Sequence, residues 1–404
     1  MQRWARGALS GLAVVGLAAG LLALGTAAGT PRGQAPAVAP APADPLTGLQ
    51  QRLSRRPDDA QGWAELGLGH VQRARLTADP SSYGRAEKAF ARSLQVQPRA
   101  NAAALTGQAT LAAARHEFAE ALRLADAALA VNPYSATAYG VKTDALVELG
   151  RYDAALDAVQ RMLDLRPAVD SLTRASYAAE LRGRVDRARE LLEQAESSAS
   201  RPSDRAFAAH QLGELAWNKG DLTAARAGYD RALQTDPTFL PALAGRARVL
   251  AAQGQTEAAL ADHREVVQRL PAPQHLVELG TLLEASGQRD AAQDQYDVVR
   301  ATQQLFAAQG ADVDLELALF EADHGDPATA LRYASAAYRD RPQAVLVQDA
   351  YAWALHRAGR SAEALPVARA ALRLGTRLPA LQYHLGAIAA AAGDPATARR
   401  ALGA

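Results

Sequence analysis

The chain has 404 residues, 49% of them apolar and 5% aromatic, with a formal net charge of +1. A near-neutral balance argues against a nucleic-acid partner, whose phosphates call for a basic surface. With no cysteine, disulfides, thiolate catalysis and cysteine metal sites are excluded, and the Ala-, Leu- and Arg-rich composition points to helices.

Arg3 and Arg6 precede an uncharged run from Ala8 to Gly29 that is about as long as a bilayer is thick. Residues 1–29 are expected to engage a membrane, as a cleaved signal peptide or as a retained anchor. Thr26-Ala27-Ala28 offers a small-residue cleavage site. Arginines held in the cytoplasm send the rest of the chain outside it, which gives an extracytoplasmic, membrane-anchored or secreted protein. Residues 30–49 include a Pro/Ala tract, TPRGQAPAVAPAPADP, without a periodic apolar face. Such a tract is a disordered, semi-extended linker.

From residue 50 to 404 the chain is periodic. Its clearest stretch is AFAAHQLGELAWNKGDLTAARAGYDRALQTDP, Ala206 to Pro237, in which two amphipathic helical patterns meet at Gly220-Asp221. A shift of 34 places carries Gly220 onto Gly254, Ala225 onto Ala259 and Pro237 onto Pro271. A helical hairpin repeated at that period makes an elongated array rather than separate globular domains.

These residues resemble the tetratricopeptide repeat (TPR) family, whose unit favours Trp early in its first helix, then Leu-Gly. Its second helix favours Ala, a large apolar residue, a further Ala and a closing Pro. The first unit has Trp63, Leu66, Gly67, Ala86, Phe90 and Pro98, with LTADPSSY lengthening the turn between its helices. The second keeps Leu105, Phe118, Ala121 and Ala128, the third Tyr139, Gly150, Tyr152, Ala155 and Pro167, and the fourth Gly183, Ala188, Leu192 and Ala195. Residues 197–203 carry a short insertion before the fifth unit, Ala206 to Pro237, and the sixth is Leu240 to Pro271. The seventh holds Leu279, Gly280, Gly287, Ala292 and Tyr296, and Arg300 to Gly310 lengthens its second helix by about one turn. Leu317, Ala330 and Pro342 mark the eighth unit, Gly359, Ala364 and Ala371 the ninth, and Leu385, Gly386, Gly393 and Ala398 the short tenth. The resemblance implies an all-α, right-handed TPR superhelix of about ten units with the first helices on its concave side.

No HExxH, phosphate loop or GxSxG elbow occurs, and the eight histidines form no i, i+4 metal pair. Acidic pairs such as Asp312 with Asp314 and Glu316 with Glu321 read as solvated charge at helix starts and faces. The chain is expected not to be an enzyme and to need no cofactor or metal. In the TPR family the groove is lined by five positions of each first helix. Residue by residue these are Phe207, His210, Glu214, Trp217 and Asn218 in the fifth unit, with Tyr177 and Glu180 from the fourth and Arg248 from the sixth. The ninth adds Asp349, Trp353, His356 and Arg357, and the tenth Tyr383. Aromatic side chains beside Arg and His suit a protein or peptide contact. The Lys/Asn set with which some TPR grooves clamp a carboxylate is missing, since Gly140, Asp144, His210 and Glu214 stand at its positions. The resemblance thus implies a scaffold that binds a protein or peptide partner. The alternative is an anchored accessory subunit that positions a separate envelope enzyme or transporter.

Overall fold

The computed structural model describes residues 45–403, so the expected membrane segment, residues 1–29, and the linker up to residue 44 lie outside the described residues. Among the described residues there are twenty-one α-helices and no strand, and no helix is long and apolar enough to cross a membrane. Helix α1 (Pro45–Arg55) begins inside the stretch expected to be linker, so residues 45–49 are helical instead. The reason lies in Leu46, Leu49 and Leu53, whose three- and four-residue spacing makes one apolar stripe. That stripe packs on Trp63, Leu66 and Ala89 of the first unit and covers a face that a repeat array otherwise leaves open at its end.

Ten helical hairpins follow. They are α2 (Ala60–Thr77) with α3 (Ser81–Val96), α4 (Ala102–Ala114) with α5 (Phe118–Val131), α6 (Ala136–Glu148) with α7 (Tyr152–Leu165), and α8 (Val169–Glu180) with α9 (Val185–Ser198). Next come α10 (Pro202–Asn218) with α11 (Leu222–Thr235), α12 (Leu240–Ala252) with α13 (Thr256–Arg269), and α14 (Pro273–Ala285) with α15 (Arg289–Ala308). The last three are α16 (Asp314–His324) with α17 (Pro327–Asp340), α18 (Val345–Arg357) with α19 (Ser361–Ala371), and α20 (Pro379–Ala391) with α21 (Pro395–Leu402). Side-chain caps start several of these helices: Asp59, Asn101, Ser135, Asp221, Asp326 and Asp394 each accept a hydrogen bond from a first-turn N–H. Close helix packing occurs within a hairpin or between neighbouring hairpins. Its tightest form is seen at Tyr229 of α11, fully buried between Gly213 of its own hairpin and Gly245 of the next. A Cβ at those glycines would stand 2.6 and 2.5 Å from the tyrosine ring.

The two long departures from the period become helix rather than loop. Most of LTADPSSY extends α2 and α3, leaving only residues 78–80 between them, so the expected long turn is short. The Arg300–Gly310 addition extends α15 to twenty residues, as expected. These two extensions touch: the Tyr83 and Phe306 rings meet edge to face at 6.2 Å between centroids.

That contact opens a seam along which the coil of units returns onto itself. The turns inside the second, third and fourth hairpins lie against the connections that follow α15, α17 and α19. Asp312 donates its N–H to the Arg115 carbonyl at 2.8 Å, and the Asp312 carbonyl faces His116 Nδ1 at 2.9 Å. Val345 donates its N–H to the Tyr152 hydroxyl at 2.8 Å. Arg341 pairs with Glu148 at 3.4 Å and lies over the Phe118 ring. Around them Tyr152, Leu181, Val345 and Leu378 bury a small apolar cluster. The reading of Glu316 with Glu321 as solvated is therefore corrected, whereas Asp312 accepts a hydrogen bond from the Asp314 N–H at the start of α16 at 2.9 Å. Glu316 faces His116 across the seam at 3.5 Å, and Glu321 is buried against Arg300 at 2.9 Å. Burying a carboxylate requires such a partner.

The seam separates two glycines that occupy the same place in their units. Gly150 has φ +74° and Gly254 φ +80°, so both suffer the left-handed penalty when a side chain is added. A Cβ on Gly254 would meet nothing within 4 Å, whereas on Gly150 it would lie 2.3 Å from the Gln343 backbone. Gly254→Ala is expected to cost about 1 kcal/mol in urea unfolding, and Gly150→Ala about 2 kcal/mol more, because it also pushes the seam apart. Equal costs would mean that the seam is not closed in solution.

Candidate functional site

The first-helix residues singled out from the sequence assemble into two separate clusters. The first lies on α10 and α12. Helix α10 begins early, at Pro202, because Pro at its first position needs no N–H partner. Its length carries Phe207, His210, Glu214, Trp217 and Asn218 down one side. At the centre Arg248 of α12 donates to Glu214, which also accepts from the Tyr229 hydroxyl at 2.7 Å. On its other side Arg248 Nε is 3.6 Å from Glu278 of α14, and Glu278 lies 3.5 Å from His275 Nδ1. His210 Nε2 stands 3.5 Å from Glu214, with its ring 5.5 Å from Phe239. Trp217 presents its ring to the Arg248 guanidinium at 5.3 Å, a cation–π geometry. Asn218 donates to Glu180 of α8 at 2.9 Å. Phe207, Trp217 and Asn218 remain half-buried at the surface of this arrangement, while His210, Glu214 and Arg248 are buried.

Charge pairing controls protonation here. Burial works against ionised Glu278, but the His275 hydrogen bond and the Arg248 charge outweigh it and hold the carboxyl down at about 2. Burial likewise opposes ionised Glu214, and Arg248, His210 and the Tyr229 hydroxyl bring it below the usual carboxylate range. His263 of α13 is fully buried beside them, and burial depresses its imidazole to about 4 despite Glu278. Glu180 is the exception. Burial raises its carboxyl to about 7, with the Asn218 hydrogen bond lowering it only in part and the nearby Glu214 charge adding to the rise.

The second cluster lies on α18 and α20, and it corrects one expectation. Trp353 is not an exposed groove anchor: it is 4% exposed and belongs to the core of the last three units. Its Nε1–H donates to Asp323 at 2.8 Å, and its ring stacks on His384 at 4.2 Å. His384 in turn holds Asp349 at 2.8 Å, both of them buried. His356 stacks on the other part of the indole at 5.0 Å, and Arg357 reaches over it at 5.7 Å. Arg357 is exposed, and His356 and Tyr383 are half-buried. Tyr177 joins neither cluster, since it packs in the apolar group of the seam.

Sequence reasoning missed Tyr229, His275 and Glu278, which complete the first cluster, and Asp323 and His384, which complete the second. It also missed Arg174 of α8, whose guanidinium meets both carboxylate oxygens of Asp144 on α6 at 2.8 and 2.7 Å. The signal was a charge on one first helix with its opposite about one period later, for example Glu214 and Arg248, 34 residues apart. Among the described residues no group of three His, Asp or Glu side chains could hold a metal ion.

The direction of the Glu180 shift fixes a pH dependence. A carboxyl with a folded-state value above its unfolded one contributes stability fully present below about pH 4 and lost as pH rises through about 7. Glu180→Gln keeps the acceptor for Asn218 and removes the titration. It is expected to unfold at higher urea than the parent at pH 8, by about 2 kcal/mol after allowing for partial solvent access, and to match it at about pH 4. A pH-independent difference would contradict this assignment.

Among curated proteins none matches this chain. Solved structures share its fold. The human IFIT1 dimer with m7Gppp-AAAA is 16% identical over 82% of this chain and 76% of that one, with a TM-score of 0.50. The thermophilic TPR protein TTC0263 of Thermus thermophilus is 25% identical over 48% of this chain and 98% of that one, at 0.41. PilW, a type IV pilus biogenesis factor, is 19% identical over 50% of this chain and 92% of that one, also at 0.41. A tetratricopeptide repeat model matches residues 106–170, 142–205, 172–238, 210–272 and 315–379. With those matches spanning more than half of its length, and with ten stacked hairpins behind them, the chain belongs to the tetratricopeptide repeat family.

Proposed function

We propose that this TPR array is a non-enzymatic scaffold whose concave side binds an extended segment of a protein or peptide partner, and that it works outside the cytoplasm. The observation that carries the reading is the α10–α12 cluster. Glu214, Arg248 and Glu278 fix one another across three units, and they leave Phe207, Trp217 and Asn218 half-buried beside them. The repeat demands none of these three residues. An indole over a fixed guanidinium, with a half-buried phenyl ring on the same helix, gives a surface with little side-chain entropy left to lose on binding. The extracytoplasmic part of the reading rests on Arg3, Arg6 and the uncharged run behind them, which also supply the membrane contact where that segment is retained.

The test uses the full chain in its native cells. Photo-reactive residues at Phe207 and Trp217 are expected to capture a reproducible protein, and one at Ala227, exposed on α11, to capture none. Trp217→Ala is expected to weaken binding of that protein by at least about tenfold, roughly 1.4 kcal/mol or more. Equal capture from all three positions, or binding indifferent to Trp217→Ala, would overturn the reading.

A further inference from the structure

Acids on the first helices generally have basic partners. Asp144, Glu148, Glu214, Glu278, Glu321 and Asp349 each face an arginine or a histidine. Glu180, at the end of α8, departs from this pattern. Asn218 donates to one of its carboxylate oxygens at 2.9 Å, and among the described residues nothing donates to the other and no basic side chain pairs with it. Arg248, the cation of the neighbouring cluster, already answers both Glu214 and Glu278. The ionisable groups around Glu180 are Glu214 on α10 and Tyr177, one turn earlier on α8. Glu148 on α6 and Tyr152 on α7 act in turn on that tyrosine, and none of these groups is basic.

Such a carboxyl works against the free protein. Ionising it in a poorly hydrated place near the Glu214 charge is unfavourable, which is why Glu180→Gln is expected to be the more stable form at pH 8. Groups that lower the stability of the free protein concentrate where a ligand later satisfies them. The position also suits a ligand. Glu180, Asn218 and Trp217 are half-buried, and the second oxygen of Glu180 stays open to solvent.

We propose that Glu180 takes a lysine or arginine side chain of the bound segment, whose ammonium or guanidinium meets the open oxygen while Asn218 holds the other. This rests on the groove reading above and gives the partner a positive charge at the fourth unit. As the cation arrives, protonated Glu180 gives up its proton to solvent, and the carboxylate then has the partner that the free protein lacks.

The probe is a random peptide library displayed on phage and selected on the full chain at pH 8. Peptides that bind are expected to carry a lysine or arginine and to lose binding with Trp217→Ala. With a selected peptide made synthetically, Glu180→Gln is expected to weaken binding at least about tenfold at pH 8. Replacing the peptide's basic residue by norleucine is expected to weaken binding as much in the parent, and by less than about twofold in Glu180→Gln. Because Glu180→Gln is the more stable form, lost binding is not lost fold. Burial holds the free carboxyl at about 7, and it must ionise to bind, so the parent is expected to bind at least about tenfold more weakly at pH 5 than at pH 8. Glu180→Gln is expected to bind alike at both. Selected peptides without a basic residue, a norleucine replacement that weakens both forms alike, or parent binding indifferent to pH would overturn the role of Glu180 and leave the groove reading standing. A library that yields no binder, or only binders indifferent to Trp217→Ala, would sink the groove reading and the role of Glu180 with it.

Discussion

A hairpin of this sequence cannot bury its own apolar face, and the way it borrows cover from the next hairpin sets everything else. Tyr229 shows the device at its simplest. A large ring from a second helix is pressed between two first helices, and only glycine at 213 and 245 lets those helices come so close. The angle between neighbouring units is thereby fixed by side-chain volume, and the same angle repeated along the array bends it into a coil. Stability in such an array is a sum over units and nearest-neighbour interfaces, so no single core dominates.

Close approach on the concave side brings charged residues of successive first helices into a narrow space with little water. There they must find partners or lose their charge. Asp144 with Arg174, Glu214 with Arg248 and Glu278, and Asp349 with His384 are the outcome, each spanning 30 to 35 residues of chain. These pairs brace neighbouring units as well as neutralising one another. A buried pair tolerates little misalignment, so each such brace holds its units in register. The seam has a buried pair of its own, Arg341 with Glu148, set beside the apolar cluster of Tyr152, Leu181, Val345 and Leu378.

The period, the small residues that permit stacking and the turn glycines could be read from the chain, because each is a local pattern repeated at a fixed interval, and the lengthening of α15 stood out against that interval; LTADPSSY was located but read as turn, although most of it is helix. The α1 helix was within reach through Leu46, Leu49 and Leu53 but was masked by the Pro/Ala tract that runs into it. Trp353 could not be placed correctly, because its burial depends on Asp323 and His384 in the units on either side. The seam was out of reach altogether. Tyr152 and Val345 are ordinary residues in their own units, and their hydrogen bond joins positions 193 residues apart. Repeat arithmetic describes a unit and its neighbour, whereas the return of the coil onto itself depends on small angles accumulated over six units.

Those accumulated angles also bear on how such a chain can change over generations. Open repeat arrays gain and lose units readily, since unit stacking sets no limit on their number. Here the turns holding Arg115, Gly150 and Gly183 face the connections holding Asp312, Gln343 and Gly375 one by one. One unit inserted or deleted between the fourth and the seventh would rotate the two edges out of register and set Gly150 against the wrong neighbour. The seam therefore ties the copy number of the array to its shape, so that duplication, the ordinary route by which repeats multiply, is penalised within the ring and tolerated only beyond it.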